Sequence, residues 1–410
     1  MSKEKRRVPK LRFPGFTEDW EQRKLSDILV ERNEQQVETS EYPLMSFVQG
    51  IGVTPKGERY DRSFLVLDQS KKYKRTELGD FIYSSNNLET GSIGINKTGK
   101  AVISPVYSIF YGVSTGDSEF IGIMSLLPGF IAKMIRFRQG VVYGQWRIHE
   151  KDFLDISVSI PSVGERTKIT KLILSIEELI TLHQRKLEHL NLKKKALLQK
   201  LFPKNGDRYP ELRFPGFTDA WEQRKLGDVG MVKSGVGFPE KEQGGIEGIP
   251  FYKVSDMNHF DNQFEMIVAN NYVSQNQIKK NRWSPITACS AIIFAKVGAA
   301  VLLDRKRLCT NSFMLDNNMM AYIVYPEQLN KYFCKFLFDT INLGNLIQVG
   351  ALPSLNAKDI SDIKKYIPNL SEQNRIAKLL LSVETLITLH QRKLDHLQLQ
   401  KKALLQQMFV

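Results

Sequence analysis

The sequence predicts an α+β protein in which two tandem mixed α/β domains are separated by two long antiparallel coiled-coil helices. Three observations lead to this prediction. Two long segments of the first half recur almost unchanged, in the same order, in the second half. The end of each half carries apolar residues at a 3.5-residue period. Between the repeated segments lie short apolar runs bounded by Gly, Pro and Asn, which is typical of strands.

The duplication sets the order of the elements and gives the molecule a pseudo-twofold organisation. LRFPGFTEDWEQRKLSD begins at Leu11 and LRFPGFTDAWEQRKLGD at Leu212. LITLHQRKLEHLNLKKKALLQKLF begins at Leu179 and LITLHQRKLDHLQLQKKALLQQMF at Leu386. We therefore divide the 410 residues into an N-terminal segment (1–20), a first variable domain (21–162), a central helix (163–205), a second variable domain (206–368) and a C-terminal helix (369–410).

Duplicated aromatic residues lie in the repeated segment that opens each half. Because they are the same in both halves, we interpret them as packing anchors: Phe13, Phe16, Trp20, Phe214, Phe217 and Trp221. Inside the domains, residues 79–83 and 290–294 are predicted to be equivalent strands, and 119–137 and 328–340 to be helices. Residues 286–303 are apolar around a central Lys296, and we expect two buried strands there.

Each long helix carries one apolar stripe, and burying two like stripes against each other favours a coiled coil. The chain returns through a whole domain between them, which favours antiparallel pairing. We expect His183 and His390 to set the register and Lys194 and Lys401 to reach solvent. The stripe consists of Ile169, Ile173, Ile176, Ile180, His183, Leu187, Leu190, Leu197 and Leu201 in the first helix, and of Ile376, Leu380, Val383, Ile387, His390, Leu394, Leu397 and Leu404 in the second.

The helices are also apolar beyond this stripe, at duplicated positions. Either another protein or the chain's own domains could cover this additional face, and the sequence leaves both open. The residues concerned are Leu172, Leu174, Leu179, Leu182, Leu379, Leu381, Leu386 and Leu389.

The charge of the chain indicates the class of its partner. A net charge of +14 with a pI near 9.4 favours nucleic acid, because phosphate contacts select Lys and Arg. Three cysteines without a CxxC pair fit a reducing cytoplasm and give no disulfide framework or zinc site. The N-terminus lacks an apolar core, so we expect neither a signal peptide nor a membrane association.

Basic clusters with aromatic or amide neighbours are the candidate DNA contacts, because guanidinium and amide groups read base edges while Lys mostly pairs with phosphate. Gln145, Trp146 and Arg147 are preferred as readers because they combine hydrogen-bonding and stacking groups. The other candidates are Lys71, Lys72, Tyr73, Lys74, Arg75, Asn86, Asn87, Lys97, Lys100 and Tyr143 in the first domain, and Lys279, Lys280, Asn281, Arg282, Lys296, Arg305, Lys306, Arg307 and Asn311 in the second.

Two sequence motifs bear on catalysis, and neither is complete. GINKTGK (94–100) lacks the Ser or Thr that a phosphate loop needs next, and a strand-like segment follows it. Gly112–Gly116 matches GxSxG around Ser114, with His149 as the single histidine of that domain. No glycine-rich loop with an Asn/Asp-Pro-Pro-aromatic motif and no nuclease carboxylate cluster is present, so we expect no catalytic or metal-binding residues in this chain.

The tandem halves, each opening with LRFPGFT…WEQRKL and closing with an Ile-Pro, a Glu-(Gln/Arg) and LITLHQRKL, resemble the specificity subunit of type I restriction–modification systems. The resemblance runs from about Leu11 to Phe409. The halves differ after the Ile-Pro, with Glu165-Arg166 in the first and Glu372-Gln373 in the second. Whether a side-chain contact is shared there stays open.

This resemblance implies that each variable domain is a target recognition domain for one part of a bipartite DNA site. It implies that the helices set the spacer and dock two DNA methyltransferase (modification) subunits, which restriction subunits join. S-adenosylmethionine, ATP and magnesium would belong to those partners, and this chain would hold no cofactor. Alternatives are a stand-alone DNA-binding protein or orphan subunit and, more remotely, a hydrolase using Ser114.

Overall fold

The computed structural model describes residues 8–48, 51–55, 70–86, 88, 92–142, 145–204, 206–287, 290–347 and 353–410; the side chains of 140–142, 145 and 146 are not described. The chain forms two compact units. The first consists of Met1–Gln184 and Lys393–Val410, and the second of Arg185–Arg392. Both long helices cross the boundary between the units, so each unit contains part of each helix.

The first unit is a mixed α/β structure built on a four-stranded antiparallel sheet, in the order β2-β10-β7-β8. A second sheet has the order β3-β6-β9, and strand pairs β1-β13, β4-β5 and β11-β12 complete it. Its elements are β1 (Glu21–Lys24), β2 (Leu29–Glu31), β3 (Gln35–Gln36), β4 (Met45–Val48), β5 (Gly52–Pro55), β6 (Tyr73–Thr76), β7 (Phe81–Tyr83), β8 (Ile93–Ile95), β9 (Ala101–Ile103), β10 (Ser108–Gly112), α1 (Asp117–Met124), α2 (Pro128–Ile135), β11 (Gln139–Val142), β12 (Gln145–Arg147), α3 (Glu150–Leu154), β13 (Ser157–Ile160) and the first part of α4 (Val163–Leu201).

The second unit repeats the four-stranded sheet, in the order β15-β21-β18-β19. It adds a three-stranded sheet β17-β16-β20 and the pair β14-β22. Besides the rest of α4, its elements are β14 (Glu222–Lys225), α5 (Leu226–Val229), β15 (Gly230–Ser234), β16 (Ile249–Tyr252), β17 (Tyr272–Val273), α6 (Gln275–Asn281), β18 (Ala291–Ala295), α7 (Ala299–Leu302), β19 (Lys306–Cys309), β20 (Met314–Leu315), β21 (Met319–Val324), α8 (Lys331–Asp339), α9 (Ala357–Ser361), β22 (Lys364–Ile367) and the first part of α10 (Leu370–Gln407).

The two units share one frame. In the first, β1 pairs with β13 from Glu21 opposite Ile160, and in the second β14 pairs with β22 from Glu222 opposite Ile367. The strands expected to be equivalent, β7 and β18, both lie third in their four-stranded sheets. They are buried along their length because the sheet is covered on both faces.

In each unit, a duplicated tryptophan packs against a phenylalanine at the C-terminal end of a long helix. Trp20 meets the ring of Phe409 edge-on at 6.0 Å in the first unit, and Trp221 meets Phe202 in the same way at 6.2 Å in the second. The backbone N–H groups of Leu11 and Leu212 donate to the carbonyls of Gln407 and Lys200. The duplicated segments therefore cap carbonyls at helix C-termini that would otherwise lack a partner.

Two local predictions are wrong. Residues 119–137 form two helices rather than one, because Pro128 has no N–H to donate and instead occupies the first turn of α2. Residues 286–303 contain one buried strand, β18, followed by the short helix α7 rather than a second strand. Gly298 is the N-cap of α7 and has φ = 77°, a backbone conformation that glycine adopts readily.

Among the described residues, no single helix is long and apolar enough to cross a membrane. Only α1 and α2 taken together, with a bend of 93° between them, have the necessary length and apolar content.

Candidate nucleic-acid interface

Hydrogen bonds bring two of the candidate segments of the first unit together. The backbone N–H of Ile148, directly after β12, donates to the Ser85 hydroxyl at 2.9 Å. The Tyr83 hydroxyl donates to the Ile148 carbonyl at 3.3 Å. The segment with Arg147 is thus fixed to the end of β7, where Asn86 is exposed. These contacts place Arg147 and Asn86 on neighbouring segments.

Lys74 lies beneath this region rather than on it. It is 7% exposed, and its Nζ lies 4.0 Å from a carboxylate oxygen of Glu150. Burial opposes ionisation of Glu150, but its hydrogen bonds, including one from Ser108, and the charges of Lys74 and Arg147 outweigh it and lower the pKa of Glu150. Burial together with the Glu150 charge raises the pKa of Glu31. Lys74 therefore serves as an internal counter-ion, and we remove it from the candidate surface.

Three further cations of the first unit already have acidic partners. Arg75 pairs with Glu34 at 2.8 Å and with Glu77, Lys97 pairs with Glu177 of α4, and Lys100 pairs with Glu41. Lys71, by contrast, is exposed and lies 5.7 Å from the centre of the half-buried Tyr73 ring. Lys72 and Arg147 are also exposed. The exposed polar set of the first unit is therefore Lys71, Lys72, Asn86 and Arg147, with the half-buried Tyr73 beside Lys71.

Some candidates lie outside the described residues. Asn87 and Tyr143 belong to this group. For Gln145 and Trp146 the backbone is described as part of β12, but the side chains are not. Their role as preferred readers stays a prediction.

In the second unit, one candidate group ends the helix α6. Lys279 and Arg282 are exposed, while Lys280 pairs with Glu242 at 3.2 Å. Asn281 donates to the Gln277 carbonyl at 3.0 Å and so belongs to the helix itself. Arg282 terminates the helix with φ = 53°, a left-handed conformation that directs the following chain away from the helix axis.

The second group lies at the ends of β18 and β19, two paired strands. Lys296 is half-buried directly after β18, and Arg305 donates to the Asn258 side chain directly before β19. Lys306 is 3% exposed and is held by Asp304 at 2.7 Å and by the Ile341 carbonyl at 2.6 Å. Its ammonium group therefore cannot contact DNA, and Lys306 is not part of the candidate interface.

Arg307 and Asn311 complete this second group. Burial lowers the pKa of Arg307, whose Nη2 reaches the Gln263 side chain at 3.4 Å. Asn311 is exposed after β19. Lys296, Arg305 and Asn311 are therefore the accessible part of this group.

The helix stripe is covered in each unit. Every stripe residue expected to pair is buried or half-buried, including His183 and His390. Lys194 and Lys401, which we predicted to reach solvent along the edge of the stripe, have side chains that are 22% and 23% exposed. Lys401 of α10 pairs with Glu177 of α4 in the first unit, and Lys194 of α4 pairs with Glu384 of α10 in the second, both at 2.7 Å. These are the same contact in the two halves of the duplication.

The additional apolar face of the helices divides into two parts. Leu172 and Leu174 pack on the core of the first unit, and Leu379 and Leu381 on that of the second. The next duplicated leucines are exposed by 42–60%: Leu179, Leu182, Leu386 and Leu389. The chain's own domains thus account for half of this face only.

The structure reveals a pair of ion pairs that sequence reasoning missed. Arg12 binds Glu165 through two nitrogens at 2.8 and 2.6 Å, and Arg213 binds Glu372 at 2.8 and 2.8 Å. Both carboxylates are 1% exposed. The side-chain hydrogen bond to the carboxylate raises the pKa of each guanidinium. The sequence contained a signal for these ion pairs, because both members of each pair stand at duplicated positions.

The two motifs that bear on catalysis have local structural roles. The backbone N–H of Ser114 donates to the Asp117 carboxylate at 3.0 Å, and Gly116 with φ = 89° leads into α1. In 94–100, the Asn96 side chain accepts from the N–H groups of Thr98 and Gly99, which a phosphate would need. Among the described residues no group of three or more His, Cys, Asp or Glu could hold a metal ion.

Comparison with known proteins identifies the relatives of this frame. Residues 218–399 match the family described as type I restriction modification DNA specificity domain. The type I restriction enzyme MjaVIII specificity subunit of Methanocaldococcus jannaschii is 22% identical over 63% of this chain and 62% of its own length. The chain therefore spans somewhat less than two thirds of that relative.

A putative type I restriction enzyme MjaX specificity subunit of the same organism is 24% identical over 95% of this chain and 92% of its own length. A crystal structure of the S subunit of a type I restriction-modification system from M. genitalium has the same fold, with a TM-score of 0.67 at 13% identity, over 98% of this chain and 99% of that one. These findings confirm the predicted resemblance to the specificity subunits of type I restriction–modification systems.

Proposed function

We propose that this chain, a relative of the type I restriction–modification specificity subunits, directs a modification complex to a bipartite sequence in double-stranded DNA. Residues 21–162 read one part and residues 206–368 read the other. The observation that carries this proposal is that the two halves repeat the same strand pairs and ion pairs but differ in the elements between them. The strand pairs β1-β13 and β14-β22 and the ion pairs Arg12–Glu165 and Arg213–Glu372 recur. The elements that hold the exposed cations, among them β12 and α6, do not recur.

The accessible polar groups would divide the work of recognition. Arg147 and Asn86 in the first unit, and Arg282 and Asn311 in the second, are exposed and carry side chains that can bond base edges. Lys71, Lys72 and Lys279 are exposed ammonium groups suited to phosphate. Because different elements of the two units hold these side chains, each unit would read its own sequence.

We further propose that α4 and α10 pair as an antiparallel coiled coil with pseudo-twofold symmetry and thereby set the spacer between the two half-sites. The ion pair Glu177–Lys401 and its duplicate Glu384–Lys194 support this pairing, since each joins the first half of one helix to the second half of the other. At 39 residues and 1.5 Å per residue, α4 is about 58 Å long. A rigid element of fixed length would make the spacer a fixed number of base pairs.

The exposed duplicated leucines support a docking role. Leu179 and Leu182 of α4 and Leu386 and Leu389 of α10 present the same apolar pattern twice. A pattern that occurs twice fits two copies of one partner, and we propose that two methyltransferase subunits bind there. S-adenosylmethionine, ATP and magnesium would then belong to the methyltransferase and restriction subunits of a cytoplasmic complex.

The test is to sequence methylated adenines in cells that contain the modification subunits, with and without this chain. We expect a two-part methylated motif that appears only when the chain is present. Methylation that is identical in both cultures, together with DNA binding by the purified chain alone, would favour a stand-alone DNA-binding protein instead.

A further inference from the structure

The first turn of each long helix contains a dipeptide whose first residue is the same in both helices and whose second residue differs. Glu165 and Glu372 hold the duplicated N-terminal segments through Arg12 and Arg213. The residues that follow them, Arg166 and Gln373, are 7% and 1% exposed. Both are turned toward a variable domain rather than toward the duplicated segment.

Arg166 makes a charged contact with the first variable domain. Its Nη2 lies 2.6 Å from Oδ1 of Asp117, and the two side chains are 9% and 3% exposed. The contact is an ion pair rather than an aligned hydrogen bond, because Oδ1 has no donor in hydrogen-bonding geometry. The other oxygen of Asp117 accepts the backbone N–H of Ser114. Asp117 is the first residue of α1, so Arg166 fixes the start of that helix.

Gln373 makes an uncharged contact with the second variable domain. Its Nε2 donates to the carbonyls of Pro368 at 2.8 Å and Gln328 at 3.1 Å. Its Oε1 accepts the backbone N–H of Asn330 at 2.8 Å. Asn330 is the N-cap of α8, so Gln373 fixes the start of that helix.

The helices α1 and α8 hold corresponding places. Each follows the strand that lies second in its four-stranded sheet, β10 in the first unit and β21 in the second. Positions 166 and 373 therefore touch the same point of the frame with different chemistry. An arginine at position 373 would place its N–H donors against the backbone N–H of Asn330, which needs an acceptor. It would also bury a charge that has no counter-ion. A glutamine at position 166 would leave the buried carboxylate of Asp117 without its cation.

We infer that Arg166 and Gln373 are positioning residues, each matched to the variable domain that it follows, and that the interchangeable reading segment extends past 162 and 368 to include them. This inference rests on the proposed function. A matched residue holds α1 or α8, and with it the reading sheet, in one orientation on the long helix. A mismatched residue would disturb that orientation and with it the recognition of one half-site.

Two full-length chimeras that differ at a single position test this match. In both, residues 222–369 replace residues 21–162, so that the second variable domain occurs twice. One chimera keeps Arg166 and the other carries Arg166→Gln. Each is expressed with the modification subunits, and the methylated adenines are sequenced.

We expect the Arg166→Gln chimera to methylate sites in which both parts are the second half-site, at more than about ten times the level given by the chimera with Arg166. Equal methylation by both chimeras would overturn the inference. If neither methylates, point variants of the parent chain decide: Arg166→Gln alone, and Arg166→Gln combined with Asp117→Asn.

For the single variant we expect relaxed or lost selection of the first half-site with the second unchanged, and for the double variant a return toward the parent. A uniform loss at unchanged sequence would mean a purely structural role and would refute the inference. If the parent chain itself directs no methylation, the proposed function fails. The melting temperatures of the variants then test whether residue 166 is matched to the first variable domain. Arg166→Gln should then lower the melting temperature by about 5 °C or more, with recovery in the double variant.

Discussion

At the scale of residues, a cation's partner decides its role in this protein. Lys74 and Lys306 are buried among acceptors, whereas Lys72 and Arg147 face solvent. A buried cation that loses its carboxylate costs stability, while a solvent-facing one is available to phosphate or base edges. Exposure and pairing therefore separate structural from DNA-facing charges more sharply than residue type does.

Exposed cations of the first unit should affect DNA affinity and leave stability unchanged. We expect Lys72→Ala or Arg147→Ala to reduce affinity of the assembled complex and to lower the slope of log affinity against log salt by about one for each lost phosphate contact. Lys100→Ala is the matched control, since Lys100 already pairs with Glu41. Titrations of labelled target DNA at several salt concentrations measure this. An unchanged slope for both variants would place DNA elsewhere.

The duplicated Arg–Glu pairs should contribute to stability and not to recognition. Glu372→Gln leaves Arg213 largely buried without its carboxylate, and we expect a loss of about 2–4 kcal/mol. Glu222→Gln is the control, because that carboxylate is 79% exposed and we expect a change below about 0.5 kcal/mol. Urea unfolding monitored by circular dichroism compares them. Similar losses for both variants would contradict the assignment.

At the scale of elements, the long helices are held by an apolar stripe and by one charged contact in each unit. The stripe is buried or half-buried throughout, so the helix pattern read from spacing corresponds to packing. The charged contact Glu177–Lys401 has a third member, Lys97, from the loop between β8 and β9. This lysine ties the first variable domain to its helix.

The Glu177 contact makes the first unit sensitive to acid. Burial opposes ionisation of Glu177, but Lys401 and Lys97 outweigh it and lower the pKa of Glu177 below its ordinary 4.5. Its contribution is therefore complete above about pH 5 and is lost as the pH falls through the lowered pKa. We expect Lys401→Met to lower the melting temperature at pH 7 and to lower it much less at pH 3.5. A loss of melting temperature that is equal at both pH values would show that the effect of Lys401 does not come from its pairing with ionised Glu177.

At the scale of the whole molecule, two duplicated elements run from one unit into the other. Helix α4 begins in the first unit and ends in the second, and α10 begins in the second and ends in the first. The first unit therefore contains residues from both ends of the chain. A truncation at residue 392 would remove Met408 and Phe409 from its core.

Helix length should control the spacer of the methylated motif. Inserting one seven-residue repeat in register into both α4 and α10 adds about 10.5 Å of helix, or about three base pairs at 3.4 Å each. We expect the spacer to lengthen by about that amount with both half-sites unchanged. Replacing seven residues at the same place without changing the length is the control. A spacer that stays the same would refute the role of the helices as a ruler.

The sequence by itself determined the duplication, the two helices, the basic charge and the resemblance to specificity subunits, because repeats and periodicity are local properties of the chain. It placed β7 and β18 correctly and failed at Pro128 and Gly298, where a single residue starts a new helix. Only the tertiary structure decided which cations are accessible and that Arg166 faces Asp117 while Gln373 faces Asn330. The partners in these contacts are 43 or more positions apart in the chain, and such pairs are set by the packing of distant segments, which spacing along the sequence does not record.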